Sequence, residues 1–391
     1  MVMRRLFFLL FLLTVLCGTT PAQTVLRSDE AVSRAVANQR NLQAARLNVT
    51  RQQQLLRGSA DLQNPQVTAE LSPYEPLLLG VQQNFNLPGV YRNRRALQTE
   101  RIRLAELQLE GSQYELKQAV RLSYLQVQYL SERIRLLAVQ DSVYGAIRVS
   151  ARRFFTAGQI NKLEELTAAT QADRIRNEWE RAQADLAAEL QLFRFYTGVT
   201  DTFQVSPLTP DATPLAGDSV TNVQQQILQQ QVSIAQQELR LQKAEQGPQF
   251  YVGPLFPTTK DYERFLGFQA GVSIPVWNRQ NRSRLAASKT GIEAAQAQQE
   301  LERQRLNARY RQALVNVQRE QRSLDYFNRT ALPQAQAIMG VSRRLFEGGE
   351  LNYIESLRNL VNAFDILTAH LDTHRAYGEA LIELKYLNGT L

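Results

Sequence analysis

The chain has 391 residues, 44% of them hydrophobic, with a mean hydropathy of -0.33, only 19 Gly and 13 Pro, and Gln recurring throughout. That composition fits long helices with wetted polar faces better than the compact layers of two or three ordinary domains. The net charge of +8 is spread without basic blocks or interleaved aromatics, which argues against nucleic-acid binding, and one Cys with two His excludes both a disulfide framework and a Cys/His zinc site.

Arg4 and Arg5 precede an apolar run from Leu6 to Leu16, and Thr20-Pro21-Ala22 puts small residues on the near side of a cleavage site. Residues 1–22 are therefore expected to be a secretory signal peptide. The run is too short to cross ~30 Å of hydrocarbon as a helix. Cys17 is a candidate for lipidation, although Leu16 before it is bulky for a lipoprotein signal. No other segment has the ~18 consecutive apolar residues of a membrane helix.

Ser28 followed by Asp29 and Glu30 predicts a helix start, and the helical pattern runs to about residue 60. Two alternating segments follow. In 66–71, Val67, Ala69 and Leu71 alternate with Gln66, Thr68 and Glu70; in 79–87, Leu79, Val81, Phe85 and Leu87 alternate with Gly80, Gln82, Asn84 and Asn86. A Pro-free stretch over 90–155 predicts a helix of roughly 100 Å, broken at Gly158 and resuming to about 196. Pro207, Pro210, Pro214 and Gly217 mark 199–219 as a linker. The order then recurs: a helix over 220–246, a less regular strand over 249–256, a strand over 266–274, a long helix over 277–346, a break at Gly348-Gly349, and a helix over 352–387. In the clearest strand, Leu266, Phe268, Ala270, Val272 and Ile274 alternate with Gly267, Gln269, Gly271 and Ser273.

This recurrence is a duplication. Residues 152–166 match 343–357 at a constant offset of 191, with seven identities, and the same offset carries Gly198 onto Gly389. Leu87-Pro88 matches Ile274-Pro275 at an offset of 187, so the second copy holds four extra residues between these landmarks. A coiled coil can absorb four residues as a stutter. The expected organisation is a signal peptide (1–22), a first repeat (23–198), a linker (199–219) and a second repeat (220–391).

Within the first long helix, Leu116, Val120, Ser123, Val127, Leu130, Ile134 and Leu137 form one 4-3 seam. A second runs through Leu122, Leu125, Tyr129, Glu132, Leu136, Val139 and Val143. Two seams predict two neighbours, and helices with a neighbour on each side can close into a ring. The strands alternate as in a transmembrane β-barrel, apolar outward and polar inward, a pattern that half-buried strands of a soluble sheet also show. Tyr91 and Trp277, just past their strands, stand where an interfacial aromatic girdle would lie. Four strands cannot close a barrel, which needs about eight or more, and an open edge is not tolerated in lipid. The chain is thus expected to assemble with copies of itself, two giving eight strands and three giving twelve.

The signal peptide, the duplication, the paired strands ending in Pro, and the Phe-x-x-Gly turn followed by a leucine heptad together resemble the TolC family of outer-membrane efflux proteins over residues 25–389. The resemblance implies a mainly α fold with a small β part: two tandem repeats of long coiled-coil hairpins, and four strands per chain forming a 12-stranded barrel in a homotrimer. It also implies an outer-membrane location reaching into the periplasm, outer-membrane lipid around the barrel, a periplasmic adaptor (membrane fusion protein) and an inner-membrane pump. The compact size and short extracellular turns (72–76, 257–264) look most like members serving resistance-nodulation-division pumps, including the heavy-metal branch. Carried over by position, the tips with Gly158, Ile160, Gly349 and Leu351 would dock the adaptor, while Glu355 and Arg358 would lie near the periplasmic gate. Arg358 stands where the family would place a second acid, and it can pair with Glu355 at i, i+3. Leu266, Phe268, Val272 and Ile274 would face lipid.

Phosphate-cradle, dinucleotide, nucleophile-elbow and zincin motifs are all missing from the sequence, so neither an enzyme nor a cofactor is expected. His370 and His374 have a metal-compatible spacing, but His-Leu-Asp-Thr-His lacks the metalloprotease glutamate and a third ligand. The leading expectation is a passive exit duct for small molecules or metal cations. A type I protein-secretion duct shares the architecture, and a coiled-coil adaptor or scaffold without a pore is the third reading.

Overall fold

The computed structural model describes residues 25–71, 77–200, 203–208, 222–257, 267–275, 279–347 and 353–391. The expected signal peptide, Leu266, Trp277 and the second tip with Gly349 and Leu351 lie outside the described residues, as does most of the expected linker.

Element order follows the duplication. The first half has β1 (Val25–Leu26), α1 (Ser28–Ala37), α2 (Gln39–Gly58), β2 (Gln66–Glu70), β3 (Leu78–Phe85), α3 (Pro88–Thr156), α4 (Lys162–Thr197) and β4 (Gln204–Val205). The second has α5 (Val223–Ala244), β5 (Gln249–Pro257), β6 (Gly267–Ser273), α6 (Arg279–Tyr326), a π-helical turn (Phe327–Ala331), α7 (Leu332–Glu347) and α8 (Tyr353–Leu387). Gly198 and Gly389 both have positive φ, 70° and 75°, so the offset drawn from the sequence joins two helix ends of the same kind.

Three expectations are corrected. The first helix does not run unbroken to residue 60: Asn38, with φ -64° and ψ 103°, is extended and separates α1 from α2, and its carboxamide lies beside Gly198. Asn is suited to such a break because its side chain competes with the helical backbone for hydrogen bonds. The second long helix is interrupted by the π turn, two residues before Pro333. Pro333 donates no N–H, and its ring crowds the carbonyl of Arg329 within that turn, so the α-helical ladder cannot continue. The linker, finally, contains structure: Gln204–Val205 pairs in parallel with Val25–Leu26.

The chain forms two compact units, each assembled from both halves. One comprises Gln39–Gln118, Pro214–Gln318 and Ala380–Leu391. Its sheet is ordered β2-β3-β5-β6 and antiparallel throughout, the hairpin of each half joined by the β3–β5 pairing. Val81 and Gln82 lie opposite Pro254 and Gly253 without ladder pairing; Pro254 has no N–H to give. The helices here are tied by buried amides. Gln98 Nε2 donates to the carbonyl and side-chain oxygens of Gln52, both at 2.9 Å, linking α3 to α2. On its other side α3 meets α5, where Gln230 donates to Glu100 O (2.9 Å) and Oε2 (2.6 Å), and Gln237 to Asn93 O (3.3 Å) and Oδ1 (3.1 Å). These glutamines, expected from composition on wetted faces, are buried.

The other unit comprises Met1–Asn38, Ala119–Thr213 and Arg319–Glu379. Here α3 has α4 on one side and α8 on the other. Val120, Val127, Leu130 and Leu137 of the first seam are buried, and Arg176 and Arg148 of the α3–α4 pair reach Asp141 (2.8 Å) and Asp173 (2.6 Å). In the second seam Leu125 lies so close to Gly378 of α8 that a β-carbon there would sit 2.8 Å from Leu125 Cδ2. Tyr129 donates to Asp372 at 2.6 Å. A shared core of Leu137, Tyr144, Ala172, Ile175, Leu357 and Phe364 holds α3, α4 and α8 together, with the Tyr144 and Phe364 rings 5.8 Å apart. Burial pushes the Tyr144 hydroxyl up to about 12. The β1–β4 ribbon is pinned by Tyr124, whose hydroxyl donates to Leu26 O (2.7 Å) and accepts from Ser206 N–H (3.1 Å). Two seams on one helix have found two neighbours.

Candidate conduit wall and hairpin tips

The pairing register sorts every sheet residue onto one of two faces. Val67, Val81, Pro254 and Phe268 share one cross-strand row; Ala69, Leu79 and Phe256 share a second; Phe85, Phe250 and Val272 share a third; and Gln83, the polar exception, shares a fourth with Val252 and Ala270. Val67 is 77% exposed, Phe268 71%, Val272 50% and Ile274, just past β6, 68%. Large apolar side chains laid together on an open surface mark a contact with something other than water. The opposite face carries the rows Gln66–Gln82–Gly253–Gln269, Thr68–Gly80–Leu255–Gly267, Asn84–Tyr251–Gly271 and, at one end, Glu70–Leu78–Pro257. It is amide- and glycine-rich, and Glu70 is the one charged residue of the four strands. Gln82 donates to Asn84 Oδ1 at 2.8 Å, while the buried Gln269 Nε2 has no hydrogen-bond partner among the described residues. No described helix is long and apolar enough to cross a membrane, a property that does not bear on strands.

Tyr91 sits in the first turn of α3, where its hydroxyl accepts the Asn86 N–H at 2.9 Å and fastens β3 to the helix.

The first tip combines two capping devices within eleven residues. Gly158, at φ 72°, ends α3 in a Schellman arrangement, with Gln159 N–H reaching Phe154 O (2.9 Å) and Gly158 N–H reaching Phe155 O (3.0 Å). Asn161 then starts α4 with a capping box: its Oδ1 accepts from Glu164 N–H at 3.0 Å, and Glu164 Oε2 accepts from Asn161 N–H at 2.9 Å. Both helix ends at the reversal are thus closed by their own hydrogen bonds. Among the described residues, nothing lies within 4 Å of where a β-carbon on Gly158 would be. Ile160 is half-buried and packs with Phe154 and Ile354 against Ala151 and Ala168, which commits much of its side chain to the hairpin itself.

Glu355 and Arg358 are exposed near the start of α8. Under the repeat offset Glu355 corresponds to Glu164, the capping glutamate of α4. Position alone thus gives Glu355 a helix-start environment.

The two histidines pack together, ring centroids 4.7 Å apart and edge to face. Nε2 of His370 lies 3.2 Å from Asn328 Oδ1 in the π turn, beside the Phe327 ring. Burial, and then the neighbouring His370, hold His374 down at about 4; burial also lowers His370. Among the described residues no group of three or more His, Cys, Asp or Glu converges on a metal-sized space.

A two-faced sheet of two hairpins, set with long paired helices, is an arrangement that solved structures share. The chain superimposes on the CmeC outer-membrane channel of Campylobacter jejuni with a TM-score of 0.79 at 12% identity, covering 93% of this chain and 85% of that one. For the outer-membrane protein VceC of Vibrio cholerae the values are 0.76, 14%, 93% and 96%, and for the open MtrE outer-membrane channel of Neisseria gonorrhoeae 0.75, 13%, 93% and 89%. Its fold is that of these TolC-like channels. No family model and no curated protein matches the sequence, so the likeness rests on shape. The fold expected from the repeats, mainly α with a small β part, is the fold observed: the four expected strands form one sheet, and the short β1–β4 ribbon is additional to them. Tyr251 was not singled out from the sequence, where 249–256 showed only an irregular alternation, whereas Gly80, Gly267 and Gly271 were read as alternating with the apolar strand positions.

Proposed function

We propose that the chain is a passive exit duct: three copies close their sheets into a 12-stranded barrel in the outer membrane of a Gram-negative bacterium, and their helices extend the passage into the periplasm. The sheet carries this reading. One of its faces is predominantly apolar and exposed, the other carries most of the polar side chains, and among the described residues β2 and β6 each pair on one side only. Each unsatisfied backbone group in hydrocarbon costs several kcal/mol, so such a sheet enters a membrane only when further copies close it. Three copies rather than two follows the resemblance to the family.

In this reading Phe268, Val272 and Ile274, with Leu266, face lipid. Cargo, small molecules or metal cations, arrives from an inner-membrane pump of the resistance-nodulation-division type through a periplasmic adaptor. The adaptor docks on the tips at Gly158, Ile160, Gly349 and Leu351, and Glu355 with Arg358 lies near the gate. The open setting of Gly158 supports the first tip as a place where a partner backbone can approach.

Purified protein is expected to run as a heat-modifiable oligomer and to conduct ions across a planar lipid bilayer. Recovery as a soluble monomer without conductance would overturn the proposal. Replacing Gly158 by Arg should leave assembly and conductance intact while abolishing efflux in cells.

A further inference from the structure

The polar face of the sheet is paved in a particular way. In two of its cross-strand rows a glycine lies beside a large side chain, and that side chain lies over it. Tyr251 of β5 is directly opposite Gly271 of β6. A β-carbon on Gly271 would overlap the end of the Tyr251 ring and stand 2.5 Å from its Cε1. Leu255, one of the apolar residues on this face with Leu78 and Pro257, lies between Gly80 and Gly267 of the same row: a β-carbon on Gly80 would be 3.1 Å from Leu255 Cδ2, and one on Gly267 would be 3.2 Å from Leu255 Cβ. The same Gly80 slot takes Thr68 Oγ1 at 2.7 Å and Gln269 Nε2 at 3.2 Å. An aromatic laid across a cross-strand glycine covers backbone that would otherwise be bare, and it also keeps its bulk off the surface.

Resting on the reading of the sheet as a barrel wall, we propose that Gly271 sets the bore of the duct by providing the slot in which Tyr251 lies flat. Gly80 does the same for Leu255. Three copies bring three Tyr251 rings to one level of the barrel. Lying flat they form part of the wall; lifted, they project into the passage from three sides. Tyr251 is thereby the residue of the described sheet with the most bulk to swing inward, and a single β-carbon beneath it is enough to raise it. Because the clash is with the far end of the ring, the ring can move without breaking the β5–β6 ladder.

The test is single-channel conductance in KCl across a planar bilayer, with heat-modifiable gel mobility as the assembly readout, for Gly271→Ala, Tyr251→Ala and the double variant. Since conductance follows pore diameter, Gly271→Ala is expected to assemble and to conduct roughly 1.5-fold less or lower still. Tyr251→Ala should be near wild type, because a flat ring blocks little, and the double variant should recover the wild-type value. Equal conductance of wild type and an assembled Gly271→Ala would overturn the proposal, as would a large gain from Tyr251→Ala alone. If Gly271→Ala does not assemble, the double variant decides: assembly with wild-type conductance supports the slot, and failure of both shows that the glycine serves strand pairing instead. A wild-type protein that conducts nothing would refute the barrel reading itself, an outcome separable from all of these.

Discussion

The same helix, α3, is held by different chemistry in the two units. In the sheet-bearing unit its neighbours are reached by buried carboxamides, each donating to both a backbone and a side-chain oxygen of the facing helix. In the other unit its neighbours share an apolar core with two aromatic rings and small-residue contacts at Ala151, Ala168 and Gly378. Apolar packing contributes more free energy per residue but tolerates sliding by a turn. A buried amide contributes less and accepts one register, since a shift leaves its donor unpaired in a place water does not reach. Helices leading from a sheet whose strands have a fixed register gain from the second kind of contact; a coiled bundle can rely on the first.

The contrast can be broken most strongly in the apolar core. Phe364→Ala, which removes the partner of Tyr144, should cost about 3–5 kcal/mol by analogy with other buried Phe truncations, seen as a lowered denaturation midpoint of the solubilised protein. Gln230→Ala in the sheet-bearing unit should cost about 1.5 kcal/mol, the scale of one hydrogen bond to a charged partner. Amide exchange should rise locally in α3 near Glu100 instead of across the protein. Equal losses at the two sites would erase the distinction. Asn161→Ala, which opens the capping box at the first tip, should cost about 1 kcal/mol and increase hydrogen exchange over the first turn of α4 alone.

A further expected effect is one of pH. His374 is held neutral in the fold, down to about 4 from 6.5, by burial and by His370. The unfolded chain therefore binds the extra proton first, and stability is lost as pH falls from about 6.5 towards 4, then levels off. His374→Gln should flatten that part of a melting-temperature profile; an unchanged slope would place the acid sensitivity elsewhere.

The candidate site was legible to different depths. The apolar face of β6 and the tip glycine Gly158 follow from residue alternation and from a break in a helical pattern, both local signals. Ile160 shows where such reading stops. Its place beside the tip glycine marked it for a partner, yet much of its side chain packs with Ile354, nearly two hundred residues away in sequence. Pro333 was visible in the sequence, but that the strain beneath it is relieved by a π turn rather than a kink depends on what packs around the turn, including His370.

What the amino-acid order determined by itself was periodicity: a unit written twice, helices of a given length, strands with one greasy side. Each of these depends on residues a few positions apart, whose relative directions are set by the backbone geometry of a helix or a strand. Tertiary structure alone decided that β3 pairs with β5 to join the halves, that glutamines serve as clamps between helices, and that Tyr251 lies over Gly271. Those outcomes turn on which distant residues face one another, and a one-residue change of register would exchange every face of the sheet without altering a single local propensity.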